Sequence, residues 1–266
     1  MLVATAVPAA RSDDHLKSLV ILPTYNEREN LEAIVRAVLD QSSDFEVLVV
    51  DDGSPDGTGD IADRLAEQDG RVHVMHRAGK LGLGTAYIQG FVHALDREYA
   101  YIFEMDADFS HDPADLLRLR AALTDGGADV AVGSRWVGHG GTRNWSFVRT
   151  FISRGGSLYA RLLLGVPIND LTSGFKCFAR HVLERLDLQS VRSNGYAFQV
   201  EMNYRCHQLG FRIAEVPIVF VDRRVGKSKM GRHIVTEAML VVLNLRLQSL
   251  LRGHAASAPA RYSKIP

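Results

Sequence analysis

Residues 99–111 read YAYIFEMDADFSH, an apolar run that ends in two aspartates, Asp106 and Asp108. The first six residues have the aromatic and β-branched character of a buried strand. Carboxylates two positions apart in extended chain project from the same side, because the strand period is two. Acids that close repel one another, and burying them without a cation is costly. A positive partner is therefore expected. A pair of hard oxygen ligands suits Mg²⁺ or Mn²⁺, either of which completes its shell with water and substrate phosphates.

The same strand pattern recurs on both sides. SLVILP (18–23), FEVLVV (45–50), RVHVMHR (71–77) and ADVAVGSR (128–135) read as further strands. Helical periodicity separates them: Leu31, Ile34, Val35, Val38 and Leu39 mark one helix face. GDIADRLAEQ (59–68), GTAYIQGFVHAL (84–95) and PADLLRLRAAL (113–123) supply the others. Asn26, with Glu29 three residues on, is the expected cap of the first helix. Apolar strands alternating with amphipathic helices predict an α/β domain, its mostly parallel sheet covered on both faces. Ligands bind such sheets beyond the carboxyl ends of the strands. Those ends here read PTYNE, DDGSPDGT, MDADFSH and GSRW, where the polar and glycine residues concentrate. After residue 135 the pattern changes. RTFISRGGSLYARLLLG (149–165) is helical in propensity despite adjacent glycines, and DLTSGFKCFAR (170–180) is mixed. YAFQVEMNYRCHQLG (196–210) reads as a helix with a glycine stop, and FRIAEVPIVFVDR (211–223) as an alternating strand.

Composition narrows the functional class. The 266 residues are 46% hydrophobic, and 31 basic side chains balance 31 acidic ones, so net charge points to no polyanionic partner. Cys177 and Cys206 lack the spacing of a disulfide framework or zinc site and fit a reducing compartment. Residues 1–17 read as a flexible leader and 253–266 as a disordered tail. The apolar stretch AMLVVLNLRLQSLL (238–251) is interrupted by Asn244, Arg246 and Gln248, which argues against a membrane span.

A second acid cluster, Asp51, Asp52 and Asp56, follows the strand FEVLVV. Asp56 is placed to cap a turn, whereas Asp51 or Asp52 can accept hydrogen bonds from a nucleotide base or ribose. GLGTAY (82–87) has two glycines of a dinucleotide fingerprint, but Tyr87 stands where the third belongs, so it reads as a helix start. The segment DRRVGKSKMGRH (222–233) is dense in lysine and arginine without interleaved stacking aromatics. That pattern favours phosphate and membrane-surface attraction over nucleic acid.

LPTYNERENL (22–31), VVDDGSPDGT (49–58), KLGLGTAY (80–87), MDADFSHDP (105–113), GSRW (133–136), DLTSGFK (170–176), FQVEM (198–202) and VDRRVGKSKMG (221–231) together resemble the dolichol- or polyprenol-phosphate mannosyltransferases of glycosyltransferase family 2. The resemblance implies a GT-A fold over 18–231, with a nucleotide-sugar half (18–135) and an acceptor half (136–231). It implies inverting transfer of mannose from GDP-mannose to a polyprenyl phosphate. By that resemblance Pro23, Tyr25, Glu27, Asp51, Asp52, Lys80 and Ala107 line the nucleotide-sugar site. Asp106 and Asp108, with Ser110, hold the metal. Arg135, Arg149, Arg223 and Lys229 surround the acceptor phosphate, and Asp106, Asp108 and Arg135 carry catalysis. Glu201 matches an acidic position that organises the site. A UDP-sugar donor on the same fold, or a non-catalytic nucleotide-sugar or lipid-phosphate binding module, are the alternatives. A lipid acceptor and no spanning helix imply peripheral attachment at the cytosolic face. The helix at 232–252 would lie in the membrane interface or pack on a membrane-anchored partner protein.

Overall fold

The computed structural model describes residues 17–222, 239–247 and 262–264. Arg223 and Lys229 lie outside the described residues, as do residues 1–16 of the leader and most of the basic segment. The elements run β1 (Ser18–Thr24), α1 (Leu31–Leu39), β2 (Phe45–Asp51), α2 (Thr58–Gln68), β3 (Val72–His76), α3 (Leu83–Leu95), β4 (Tyr101–Glu104), α4 (Asp115–Thr124) and β5 (Val130–Ser134). There follow β6 (Gly141–Arg143), α5 (Phe147–Leu164), β7 (Lys176–Ala179), α6 (Arg180–Arg185), α7 (Gly195–Gln208), β8 (Ile213–Pro217) and β9 (Val219–Val221). A helical segment α8 (239–247) and β10 (Tyr262–Lys264) complete the chain.

Eight strands form one sheet in the order β10-β8-β5-β7-β4-β1-β2-β3, and β6 and β9 form a separate parallel pair. Every neighbour in the large sheet is parallel except β7, which runs antiparallel to β4 and β5. The near-continuous apolar strands are explained by two cores. Alternate residues of β1 and β2 point to opposite faces, so Leu19, Ile21, Leu48 and Val50 join one cluster while Val20, Leu22, Val47 and Val49 join the other. Helices α3, α6 and α7 cover the first face, and α1, α2 and α4 the second. This is the α/β arrangement the strand–helix alternation predicts.

Four local expectations are corrected. The first helix is preceded by Asn30, while Asn26 takes a left-handed backbone with φ 61° and donates its N–H to Ser54 Oγ. The run 211–223 is two strands: Pro217 ends β8, and Ile218 crosses over, its N–H donating to Ser134 O while its carbonyl accepts from Gly141. Part of the mixed segment 170–180 is the interior strand β7, disguised in sequence by Lys176. Within the tail, Tyr262–Lys264 pair with β8 as an edge strand instead of lying disordered.

Lys176 is fully buried opposite Glu104, also fully buried, with Nζ donating to Glu104 Oε2 at 3.1 Å and also to Gln199 Oε1 of α7. Burial pushes the Glu104 carboxyl up and the Lys176 ammonium down, and their attraction opposes both shifts. The pair lies at the foot of the Asp106–Asp108 turn and pins β7 into the sheet. Replacing one member of such a pair strands the other's charge. Lys176→Met is expected to lower unfolding free energy in urea by about 3–5 kcal/mol, and adding Glu104→Gln should recover part of that loss. A loss from Lys176→Met too small to resolve would show that Glu104 does not depend on this cation.

Candidate active site

Strand β4 stops at Glu104, so the two aspartates lie in the turn beyond it and not in the extended segment itself. Asp108 is buried and accepts the Ser110 N–H at 3.0 Å, closing a tight turn through Phe109, which has φ 59°. Asp106 is half-buried, with Oδ2 at 3.7 Å from His111 Nε2. The buried Ser110 Oγ has no hydrogen-bond partner among the described residues. Two carboxylates and an orphaned hydroxyl form an oxygen-only donor set suited to a hard divalent cation. Among the described residues no group of three or more His, Cys, Asp or Glu could hold a metal by itself. The set therefore fits a cation shared with substrate oxygens, as Mg²⁺ and Mn²⁺ are when phosphates complete their shells.

From Asp106 the site continues through His111 into a cluster of aromatic rings and cations. The buried His111 ring lies 4.8 Å from Phe175 and 5.1 Å from Phe220, and Phe220 lies 5.3 Å from Trp145. The Arg135 guanidinium sits 5.2–5.6 Å from the ring centroids of Trp136, Trp145 and Phe220. Arg149 lies over Trp145 at 4.2 Å and pairs with Asp222 at 2.8 Å. The Arg149 Nε and both tryptophan Nε1 donors are buried without partners among the described residues. The acid turn and two of the four predicted acceptor cations thus belong to one site at the carboxyl ends of β4 and β5.

Arg135 is more constrained than the sequence suggests. Its Nε and Nη2 each donate to Asp170 at 2.7 Å, and Nη2 also donates to Thr172 Oγ1 at 2.8 Å. Burial works against its charge, and Asp170 more than restores it, so the guanidinium is held protonated. One edge of the fork is committed to protein, which leaves Arg135 a fixed charge and not a mobile clamp.

The residues expected to line the nucleotide-sugar site gather at the ends of β1 and β2. Asp51 is consumed by its own turn, accepting from Thr24 Oγ1 at 2.9 Å and from Ser54 N and Oγ at 3.0 and 2.6 Å. Asp52 is paired with Arg77 Nη1 at 2.6 Å, and burial raises its pKa despite that neighbour. Arg77 also donates to Thr85 Oγ1 at 2.5 Å, linking the acid to the start of α3. Lys80 is exposed and stacks over the Tyr25 ring at 4.4 Å. Pro23 and Glu27 are half-buried and Ala107 is buried. Asp56 accepts from Thr58 N and Oγ1 and from Arg28 N, the turn role its position predicts. Gly84 is needed for packing: a Cβ there would lie 2.5 Å from Ser193 O. Glu201 holds that same loop, accepting from Ser193 N and Oγ and from Arg205 Nε.

Sequence reasoning overlooked Arg77, Trp145, Phe220 and Asp170 as site-builders. Asp170 had a signal, an acid opening the motif DLTSGFK, but its partner lies 35 residues away. Removing that acid should release the buried guanidinium. Asp170→Asn is expected to cost about 3–5 kcal/mol in chemical denaturation and to alter the emission of Trp136 and Trp145. Unchanged stability and unchanged fluorescence together would show that Arg135 is held by other contacts.

Comparison with known proteins agrees with this architecture. The chain is 51% identical over 227 residues to the polyprenol monophosphomannose synthase of Mycolicibacterium smegmatis, covering 85% of each. It is 47% identical over 238 residues to the undecaprenyl-phosphate mannosyltransferase of Micrococcus luteus, covering 90% of this chain and 97% of the relative. Among solved structures, glucosyl-3-phosphoglycerate synthase from Mycobacterium tuberculosis aligns with a TM-score of 0.60 at 18% identity, over 87% of this chain and 80% of that one. A mannosyltransferase from Pyrobaculum calidifontis, solved with GDP-Man and Mn²⁺, aligns with a TM-score of 0.54 at 18% identity, over 92% of this chain and 77% of that one. These structural likenesses establish the GT-A fold. Residues 19–187 match the profile described as glycosyl transferase family 2, and with the relatives above this shows that the chain is a glycosyltransferase belonging to family 2.

Proposed function

We propose that this protein transfers mannose from GDP-mannose to a polyprenyl phosphate with inversion at the anomeric carbon, as a peripheral enzyme on the cytosolic face of a membrane. The observation that carries this reading is the pairing of an acid turn, Asp106 and Asp108, with the Arg135–Arg149 cation cluster through His111 and Phe220. One end suits a diphosphate bridged by a divalent cation, and the other suits a phosphate monoester. The two relatives, both named as polyprenyl-phosphate mannose enzymes, support the acceptor class.

Asp106 and Asp108, with Ser110 Oγ beside them, would hold Mg²⁺ or Mn²⁺, which when bound neutralises charge on the departing diphosphate. Asp52, Arg77, Tyr25 and Lys80 would frame the nucleoside. Arg149 would meet the acceptor phosphate with its guanidinium, while Arg135 supplies fixed charge behind it. In the reaction an acceptor phosphate oxygen bonds to the anomeric carbon as the bond from that carbon to the GDP β-phosphate oxygen breaks. A phosphate monoester is already ionised near neutral pH, so positioning and charge compensation replace a strong general base. Glu201 therefore acts by holding the 193 loop and not by taking a proton. Buried, unpaired Cys177 and Cys206 suit a reducing compartment, and no described helix is long and apolar enough to cross a membrane.

Transfer from labelled GDP-mannose to polyprenyl phosphate in detergent should appear with Mg²⁺ or Mn²⁺ and disappear with excess EDTA. Asp108→Asn should lower turnover by about 10²-fold or more with little effect on stability. Transfer only from UDP-glucose would move the donor assignment. No transfer from either donor, even with membranes added, would overturn the reading.

A further inference from the structure

Two of the cations in the cleft are held by carboxylates in different settings. Asp170 grips Arg135 through two guanidinium nitrogens, and its side chain is wholly buried. Asp222 Oδ1 meets Arg149 Nη1 at 2.8 Å with 29% of its side chain exposed. A buried bidentate pair is permanent, because either charge left behind is costly. A partly exposed pair is worth little net and exchanges readily. The backbone holds Asp222 in place for such an exchange. Its N–H donates to Arg143 O and that of Val221 to Ser110 O, both at 3.1 Å. Asp222 thus stands just after β9, between the acid turn and the first turn of α5. Arg149 is anchored from its own side, with its N–H donating to Ser146 Oγ and its guanidinium lying over Trp145.

We propose that Asp222 is an internal competitor for Arg149, a specificity-determining carboxylate that the acceptor phosphate displaces and that re-pairs as product forms. The proposal rests on the reading of Arg149 as an acceptor-phosphate ligand. Charge decides the exchange. A carboxylate brings one negative charge, whereas a phosphate monoester near neutral pH brings nearly two, on three accepting oxygens. The monoester therefore displaces Asp222. A phosphodiester brings one charge, as Asp222 does, and lacks the covalent tether that keeps Asp222 at high local concentration. The contact thus sets a threshold that a monoester clears and the diester phosphates of bulk lipid do not. Transfer itself turns the monoester acceptor into a phosphodiester. The step that forms product thereby removes the charge by which the acceptor held Arg149, Asp222 re-pairs, and product leaves.

Both tryptophans of the chain, Trp136 and Trp145, lie in this cluster, so their emission reports anion binding without donor or lipid. At constant ionic strength, inorganic phosphate is titrated into the wild-type chain, Asp222→Asn and Asp222→Glu, with dimethyl phosphate as the monoanionic diester. Wild type is expected to prefer phosphate to the diester. Asp222→Asn should bind each about fivefold more tightly, and Asp222→Glu should resemble wild type. Arg149→Gln should lose the response. With labelled GDP-mannose and a short prenyl phosphate, Asp222→Asn should lower the acceptor KM and strengthen inhibition by the diester product. A residue that only positions Arg149 would raise that KM instead. A raised KM, or phosphate affinity unchanged or weakened in Asp222→Asn, overturns the proposal. So does a response that survives Arg149→Gln, or no phosphate binding by any of the chains. Tighter phosphate binding by Asp222→Asn with no transfer by any chain removes the proposed reaction and leaves the exchange. Transfer with unaltered acceptor KM and phosphate affinity removes the exchange and leaves the reaction.

Discussion

The buried pair between Arg135 and Asp170 is the constraint around which the site is arranged. A guanidinium out of water is tolerable only with a carboxylate in bidentate contact and its remaining polar neighbours satisfied. Asp170 is itself fixed, since its N–H donates to Glu215 Oε1 at 2.9 Å while Asn169 donates from N and Nδ2 to Glu215 Oε2 at 2.9 and 2.8 Å. Glu215 lies fully buried in β8 and Arg135 follows β5, so one polar network ties two strands to the segment entering β7. Each member compensates another, and loss of any one leaves an unmatched buried group. Such a network cannot adjust by small steps, which holds the rings of Trp136, Trp145 and Phe220 against a cation of fixed position.

That rigidity gives the cleft a direction. Its positive end is secured within the protein by Asp170, and its negative end is a turn of two carboxylates with an orphaned hydroxyl beside it. His111 stands between them, packed on Phe175 and Phe220 and 3.7 Å from Asp106. A reaction joining a phosphate monoester to a sugar carried on a diphosphate brings two anions together. A cation fixed in advance, as Arg135 is by Asp170, offsets such repulsion without reorganisation at the moment of bond formation. The ends of β2 and β3 are fixed in a comparable way, by Arg77 joining Asp52 to Thr85.

The parts of this architecture that repeat locally could be read from sequence. The apolar strands β1, β2, β4 and β5 and their amphipathic helices carry periodicity within a few residues, and polar stretches after each strand mark the cleft. What escaped depends on distant pairing. Strand β7 looked mixed because Lys176 interrupts it, and only Glu104, 72 positions away, makes a buried lysine intelligible. The split between β8 and β9 follows from Pro217 and from a partner strand three residues long. Asp51 and Asp52 are neighbours of one type, yet Thr24 and Ser54 consume the first and Arg77 takes the second. Identical residues were separated by surroundings that sequence spacing does not encode.

Helix α5 is one that length alone would misjudge. Eighteen residues span roughly 27 Å at 1.5 Å each, close to the hydrocarbon thickness of a bilayer. Crossing would nevertheless carry Arg149, Arg154 and Arg161 into hydrocarbon, at about 2.5–3.5 kcal/mol for each one near the middle, and would strip the buried face from the sheet. Packing on the sheet avoids both costs: the inner face is buried through Ala160 and Leu164, Arg154 lies over Trp136 at 4.7 Å, and Arg161 donates to Asn169 Oδ1 at 2.8 Å. Arg149, in the first turn, touches Trp145 and Asp222 in the cleft, while Phe151, two residues on, faces outward. One helix thus presents a cation to the cleft from its first turn and an apolar strip outward along its length.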